Sequence, residues 1–286
     1  MQPLFDTDLL LARRLRAARA CVAGADFLMA RVADDLAERL STVERRFEHA
    51  VAAFCTTAHA ERVLKESGKV GQTLRIERDS ALFQYAQGLI AEQAETIPLE
   101  AESIELAVSL LAFQEVNDLP GMLLQFRRAL KPDGLFLAAM AGGDTLRELR
   151  ESLLVAETEL TGGASPRVAP FTDVRDAGTL LQRAGFALPV ADVETITVRY
   201  PHLFALMADL RAMGATNVLT DRSRKPASRR LFTRAAEIYA ERFCDGDGRI
   251  RATFSIIWLS GWAPDASQPK PLKPGSAQIS LTEILK

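Results

Sequence analysis

Length, composition and charge describe an ordinary globular chain. The chain has 286 residues, of which 48% are hydrophobic and 25% charged, and its formal net charge is −2. Chains of about 250 residues with an α/β pattern commonly form one domain. A charge this close to zero gives no electrostatic basis for binding nucleic acid, so we expect no nucleic-acid partner.

The cysteines and the apolar runs exclude two further classes. Cys21, Cys55 and Cys244 are odd in number and widely separated, which fits neither a disulfide framework nor a metal site. The longest apolar runs, 106–113 and 134–141, fall short of the roughly 20 residues that span a bilayer. We therefore expect a cytoplasmic protein with no transmembrane segment and no metal.

Helical and strand patterns alternate along the first half of the chain. The arginine-rich start, 9–19, favours a structural helix over a transit peptide because Asp6 and Asp8 precede it. Apolar residues at helical spacing predict an amphipathic helix over 26–43. Alternating strands and helices in βαβαβ order are then predicted at 50–54, 58–66, 74–77, 80–85 and 88–92.

The second half continues the sheet and then changes its order. A buried strand at 104–111 precedes a helix that Asp118 can cap and that holds Pro120 in its first turn. A turn at 131–134 leads into an apolar strand at 135–140, which is typical of a parallel sheet covered on both faces. Further helices are predicted at 144–160, 174–184, 203–213 and 228–243, strands at 189–198 and 251–260, and an extended tail from 264.

The turn after the first strand is where a nucleotide-type ligand would bind, outside the carboxyl ends of the strands. Such a turn needs glycines, because the backbone must approach the ligand without a Cβ in the way. Here the turn reads Ala52-Ala53-Phe54-Cys55-Thr56-Thr57-Ala58-His59 and has no glycine. Phe54 would put a large side chain beside the cofactor, so we expect weakened or lost binding.

Other candidate cofactor contacts follow the next strands. Glu77 ends the second strand and can hold a ribose diol by two hydrogen bonds, although Arg78 beside it can instead pair with it. Glu92 ends the third strand, as an adenine contact or as a solvated loop carboxylate. Phe113 after the fourth strand completes the predicted cofactor set with Phe54, Cys55 and Thr56.

Glycines after the fifth strand suggest a second kind of site. Gly142 and Gly143 precede a helix whose free N–H groups could hold an anion or the backbone of a client protein, whereas helix capping by Asp144 is the simpler interpretation. The basic run at 222–234 indicates a solvated face or a docking patch for an acidic protein. The three histidines neighbour no nucleophile that the sequence identifies.

Several ordered motifs carry a family resemblance. They include Val116-Asn117-Asp118-Leu119-Pro120, Gly142-Gly143-Asp144-Thr145-Leu146, Ala169-Pro170-Phe171 and Met213-Gly214-Ala215-Thr216-Asn217. The chain resembles the mitochondrial respiratory complex I assembly factor family of the methyltransferase superfamily, and its BioC-like alphaproteobacterial relatives. The resemblance implies a Rossmann-like class I methyltransferase fold, with a mostly parallel seven-stranded sheet, helices on both faces and added N-terminal and C-terminal helices.

The same resemblance implies S-adenosylmethionine as the ancestral cofactor, and either hydroxylation of an arginine on a complex I subunit or methylation of a carrier-bound malonyl group. Two departures fall in the cofactor half. Ala52-Ala53-Phe54 replaces the family's Asp-Leu-Gly turn, and Gln114-Glu115 replaces a His-Trp or Gln-Trp pair. We expect N-terminal helices at 1–45, a Rossmann-like half at 46–142, a client half at 143–262 and a tail at 263–286.

Two hypotheses follow. In the first, the protein is a pseudoenzyme that docks a protein client, such as a respiratory-chain subunit, or an active paralogue. The predicted docking residues are Gly142, Gly143, Asp144, Arg167 and Phe171. In the second, it is an active S-adenosylmethionine-dependent methyltransferase or protein arginine hydroxylase that tolerates the unusual turn. The residues leave both open.

Overall fold

A seven-stranded sheet runs through the centre of the protein. The computed structural model describes residues 2–83 and 88–269. The strand order is β3-β2-β1-β4-β5-β7-β6, and β7 runs antiparallel to both of its neighbours while the other pairings are parallel. The predicted mostly parallel sheet is confirmed. The strands are β1 (Phe47–Ala53), β2 (Val70–Glu77), β3 (Gly88–Ile90), β4 (Ile104–Leu110), β5 (Leu130–Ala141), β6 (Ala187–Tyr200) and β7 (Ile250–Trp262).

Helices cover both faces of this sheet. One face packs against α2, α3, α5, α7 and α8, and the other against α4 and α6. The first helix, α1, buries none of its residues fully. The helices are α1 (Thr7–Ala20), α2 (Phe27–Ser41), α3 (His59–Glu66), α4 (Leu119–Ala129), α5 (Arg147–Thr161), α6 (Val174–Arg183), α7 (Leu203–Ala212) and α8 (Arg229–Phe243).

Strand β4 shows why this sequence forms a covered parallel sheet. Leu106 and Val108 enter one core cluster, while Ala107 between them enters the cluster on the opposite face. A strand buried on both faces has no polar side to give it an alternating pattern. The helix after it begins as predicted, since the Asp118 carboxylate accepts a hydrogen bond from the Gly121 N–H at 2.9 Å.

Two local predictions differ from the structure. The helix predicted at 80–85 is a single 3-10 turn, Ser80–Leu82, and residues 84–87 lie outside the described part. The predicted turn at 131–134 is a bulge inside β5, with Asp133 at a φ of 58°. The predicted tail at 263–286 falls largely on 270–286, which also lie outside the described residues.

The arginine-rich start forms the predicted structural helix, α1. Asp6 caps this helix by accepting a hydrogen bond from the Leu9 N–H at 3.1 Å. Within residues 2–83 and 88–269, no helix has the length and apolar character needed to cross a membrane.

Candidate functional site

A large cavity opens at the carboxyl ends of β1, β4 and β5. Its volume is about 850 Å³, within the usual range of ligand pockets. The turn after β1 contributes Thr56, and helix α1 closes the opposite side. Other lining residues come from the turn after β4, from α5, α7, α8 and β7, and from loop 167–171. They include Gln114, Leu149, Leu153, Arg167, Phe171, Met207, Phe232 and Ile256.

In the turn after β1, two residues with side chains adopt the left-handed backbone conformation that glycine normally takes. Phe54 has a φ of 59° and Thr56 a φ of 56°. This left-handed region costs a residue with a Cβ about 1–2 kcal/mol. Phe54 is buried, and its side chain joins the core cluster on the α4 side of the sheet. Thr56 lines the large cavity.

A second, much smaller cavity lies where a ribose and an adenine would be expected. Its volume is about 60 Å³, far below the roughly 300–1,000 Å³ of typical ligand pockets. Phe54 and Glu77 line it from the sheet, and Leu10 and Leu11 line it from α1. The ends of β1 and β2 therefore meet a nearly filled space between the sheet and α1.

Glu77 is held by a buried arginine. Its Oε1 accepts hydrogen bonds from the Thr56 N–H at 2.8 Å and from Arg75 Nη2 at 3.2 Å. Both ionic side chains are 1% exposed. Arg75, and not the predicted Arg78, is the partner because residues two apart on a strand point to the same face. Burial raises the pKa of Glu77 to about 7, although Arg75 lowers it.

The remaining predicted cofactor residues lie apart from both cavities. Cys55 is fully buried, and this burial raises the pKa of its thiol to about 12, which makes the thiol inert. Glu92 is exposed. Phe113 packs in an aromatic cluster, with its ring centroid 6.0 Å from that of Phe136. The cofactor contacts assigned to these three residues stay predictions.

The glycine turn after β5 is joined to β7. The Gly142 N–H donates to Ser255 O at 2.8 Å, and the Leu146 N–H donates to Thr253 O at 2.7 Å. These two N–H groups are therefore engaged within the protein. The prediction that Asp144 caps the next helix is wrong: α5 begins at Arg147, after Leu146, and Asp144 is exposed.

Arg150 links this turn to the loop that carries Arg167 and Phe171. Its guanidinium donates to Gly143 O at 3.4 Å and to Ala169 O at 3.2 Å, and lies 5.9 Å from the Phe171 ring centroid. Sequence reasoning did not select Arg150 as a site residue. The only available signal was its place just after the glycine motif.

Glu157, on α5, holds the same loop through hydrogen bonds to Arg167 and Ser165. It accepts two hydrogen bonds from Arg167, with Nη2 at 2.7 Å and Nε at 3.0 Å, a bidentate arrangement. It also accepts from the Ser165 N–H and hydroxyl, at 3.0 and 2.8 Å. These contacts, with the Arg167 bonds first among them, lower the pKa of Glu157 to about 2.

Long-range contacts hold α1 over the cavities. The Asn117 side chain accepts from the Phe5 N–H at 2.8 Å and donates to Phe5 O at 3.2 Å. Glu115, from the pair that departs from the family pattern, bonds Arg14 of α1 at 2.9 Å. Arg14 and Glu115 both line the two cavities, so this ion pair stands between them.

The strand order and the site at the strand ends define a class I methyltransferase-type protein. Residues 55–138 match a family described as a methyltransferase domain. A putative methyltransferase from Bacillus halodurans superposes with a TM-score of 0.53 at 14% identity, over 81% of this chain and 98% of that one. The YcgJ protein of a Bacillus species gives 0.53 at 15% identity, over 80% and 98%. At these identities the likeness concerns the fold alone.

Sequence relatives narrow this class. The mitochondrial arginine hydroxylase NDUFAF5 of Danio rerio is 38% identical over 91% of this chain and 83% of its own, and that of Homo sapiens is 37% identical over 99% and 84%. A malonyl-[acyl-carrier protein] O-methyltransferase of Laribacter hongkongensis is 37% identical over 68% and 63%. The chain belongs to the NDUFAF5 arginine-hydroxylase family within the methyltransferase superfamily, which confirms the predicted resemblance.

Proposed function

We propose that this protein has weakened or lost S-adenosylmethionine binding and acts by docking a protein client. The observation that carries the first part is the turn after β1, where Phe54 and Thr56 take glycine-type conformations. A cofactor that approaches this backbone meets their side chains. The space beside Phe54 and Glu77 is about 60 Å³, too small for an adenosine at ordinary pocket sizes.

Glu77 supports the same proposal. A carboxylate that holds a ribose needs both oxygens directed at the ligand. Here Oε1 is engaged by Arg75 and by the Thr56 N–H, and the side chain is 1% exposed. Binding the ribose would first require movement of a buried ion pair.

The client is assigned to the surface around Gly143 and Phe171. No heavy atom beyond the chain neighbours lies within 3.4 Å of a Cβ added at Gly143, so another chain can approach the backbone there. The loop opposite is held by Arg150 and by Glu157, which keeps it in place for a partner. The family resemblance favours a respiratory-chain subunit as the client, with an active paralogue as the other choice.

The second candidate function is an active methyltransferase or protein arginine hydroxylase that uses S-adenosylmethionine. Relatives at 37–38% identity named as arginine hydroxylases favour it. Glu77 also stands at the end of β2, where a ribose contact is expected.

For either function we assign the protein to the cytoplasm, on the composition and the unpaired state of Cys21, Cys55 and Cys244.

Calorimetric titration of the full chain with S-adenosylmethionine and S-adenosylhomocysteine tests the cofactor proposal. We expect no binding below millimolar ligand for the wild type, and measurable binding after the double change Phe54→Gly and Thr56→Gly. Thermal unfolding checks the result, since saturating ligand that binds only the folded state raises the melting temperature. A micromolar dissociation constant for the wild type would favour the second candidate.

Affinity capture from the native host, with cross-linking to identify the bound subunit, tests the client proposal. Gly143→Trp should abolish recovery of the client while leaving the melting temperature nearly unchanged. Gly163→Trp is the matched control, because that glycine also faces open space but follows the C-terminal end of α5, whereas Gly143 precedes the start of this helix. Equal recovery from both variants, or none from the wild type, would rule out docking at this surface.

A further inference from the structure

The wall of the large cavity away from the turn after β1 is apolar. Helix α5 contributes Leu149 and Leu153, α8 contributes Phe232, and β7 contributes Phe254 and Ile256. These side chains lie on the face of the sheet that carries the larger group of helices. An apolar wall in a cavity of about 850 Å³ favours a ligand with an apolar body.

The charged groups that line the same cavity are unbalanced. Among the described residues, four arginines and two carboxylates line it. Glu115 pairs with Arg14 at 2.9 Å, and Asp26 bonds His59 at 2.7 Å. Arg167 pairs with Glu157, which lies behind the loop and not in the cavity lining. Two cations therefore remain without a carboxylate partner.

These cations are Arg13 and Arg62. Arg62 is exposed and donates to His59 Nδ1 at 2.7 Å. Arg13 is half-buried, and its guanidinium donates to the Asn217 carbonyl; no carboxylate in residues 2–83 or 88–269 forms an ion pair with it. Burial, and then the charges of Arg222 and Arg16, lower the pKa of Arg13, and the more weakly acting carboxylates of Asp6 and Glu115 offset this only in part. A half-buried cation among other cations is stabilised by an added anion.

We propose that this cavity binds an amphipathic carboxylate, with the anionic head on Arg13 and an extended apolar chain along the α5, α8 and β7 wall. The charge and the wall carry the proposal together. An anion alone would leave the apolar wall unfilled, and an uncharged chain would leave Arg13 without an anionic partner. Carboxylate binding in this cavity requires neither the cofactor nor a protein client. A negative result for carboxylate binding would therefore leave the proposed function untouched.

Titration of the full chain with hexanoate, octanoate and decanoate tests the proposal. Each added methylene that is buried should strengthen binding by up to about fourfold. Decylammonium and decanol, with the same chain and a different head, should bind more weakly than decanoate. Binding of decylammonium as tight as that of decanoate, or no dependence on chain length, would overturn the proposal.

Two variants on one helix locate the head group. Arg13→Gln should weaken decanoate binding about tenfold or more, as loss of a charge-assisted hydrogen bond does, and leave decanol binding unchanged. Arg19→Gln is the matched control, since Arg19 is exposed on the same helix and does not line the cavity. If Arg13→Gln lowers stability, Arg13→Lys should restore the preference for decanoate over decanol. Equal affinities in Arg13→Gln and Arg19→Gln would refute the role of Arg13.

Discussion

Replacing Glu157 by Gln should release the loop that closes the large cavity. Arg167 and Ser165 together lower the pKa of this carboxyl from its ordinary 4.5 to about 2. A displacement of that size corresponds to about 3 kcal/mol of stability. The side chain is only 11% exposed, so solvent screens the interaction little. This stability is fully present above pH 4.5 and is lost as the pH falls toward 2. In this range Glu157 is protonated in the unfolded state but still ionised in the folded state, so a falling pH favours unfolding.

Urea unfolding of the wild type and of Glu157→Gln between pH 2 and pH 7 measures this effect. The variant should lose about 3 kcal/mol of unfolding free energy at pH 7, and the difference should shrink toward pH 2. Glu159→Gln is the matched control: Glu159 lies on the same helix and pairs with Arg234, but its side chain is 44% exposed, so the loss of unfolding free energy should be much smaller than at Glu157. A loss at Glu157 that does not change with pH would refute the reasoning.

Two further predictions concern buried positions near the site. Because burial raises the pKa of Glu77 from 4.5 to about 7, this carboxyl should lower wild-type stability by about 3 kcal/mol as the pH rises through that window. Unfolding at pH 5 and 7.5 should therefore show Glu77→Gln gaining on the wild type by about 2 kcal/mol, and an unchanged difference would contradict the assignment. Gly142→Ala should cost about 1–3 kcal/mol, since its Cβ would lie 2.8 Å from Ile257. Gly143→Ala should be nearly neutral by the same assay, and equal losses would argue against this geometry.

The sequence alone predicts those helices and strands whose apolar spacing reflects the face that they bury. Helix α2 buries Leu28, Val32, Leu36 and Leu40, the spacing from which it was predicted. The turn after β1 was also found from position alone, because a ligand turn must follow the first strand of such a sheet. Its missing glycines are visible in the sequence, whereas the left-handed conformations of Phe54 and Thr56 are visible only in the structure.

Features that depend on distant partners could not be predicted. The helix predicted from residue 144 begins at Arg147, because Gly142 and Leu146 pair with β7 more than 100 residues away. Arg150 donates to a backbone carbonyl 19 residues away, that of Ala169, a relation with no periodic signature. Arg13 lines the large cavity because α1 lies beside Asn217, and no sequence pattern connects those two segments.

Phe54 accounts for how the proposed loss of cofactor binding would leave the fold intact. The left-handed conformation costs its backbone about 1–2 kcal/mol, whereas burial of a Phe side chain contributes about 1.5–3 kcal/mol, and this side chain is 7% exposed. The two effects offset each other, so stability places no barrier to the exchange of glycine for Phe. The ring nevertheless occupies the side of the turn that faces the smaller cavity. The Arg14–Glu115 pair separates that cavity from the larger one, so we expect the larger cavity to keep its lining residues in place when the smaller one is filled.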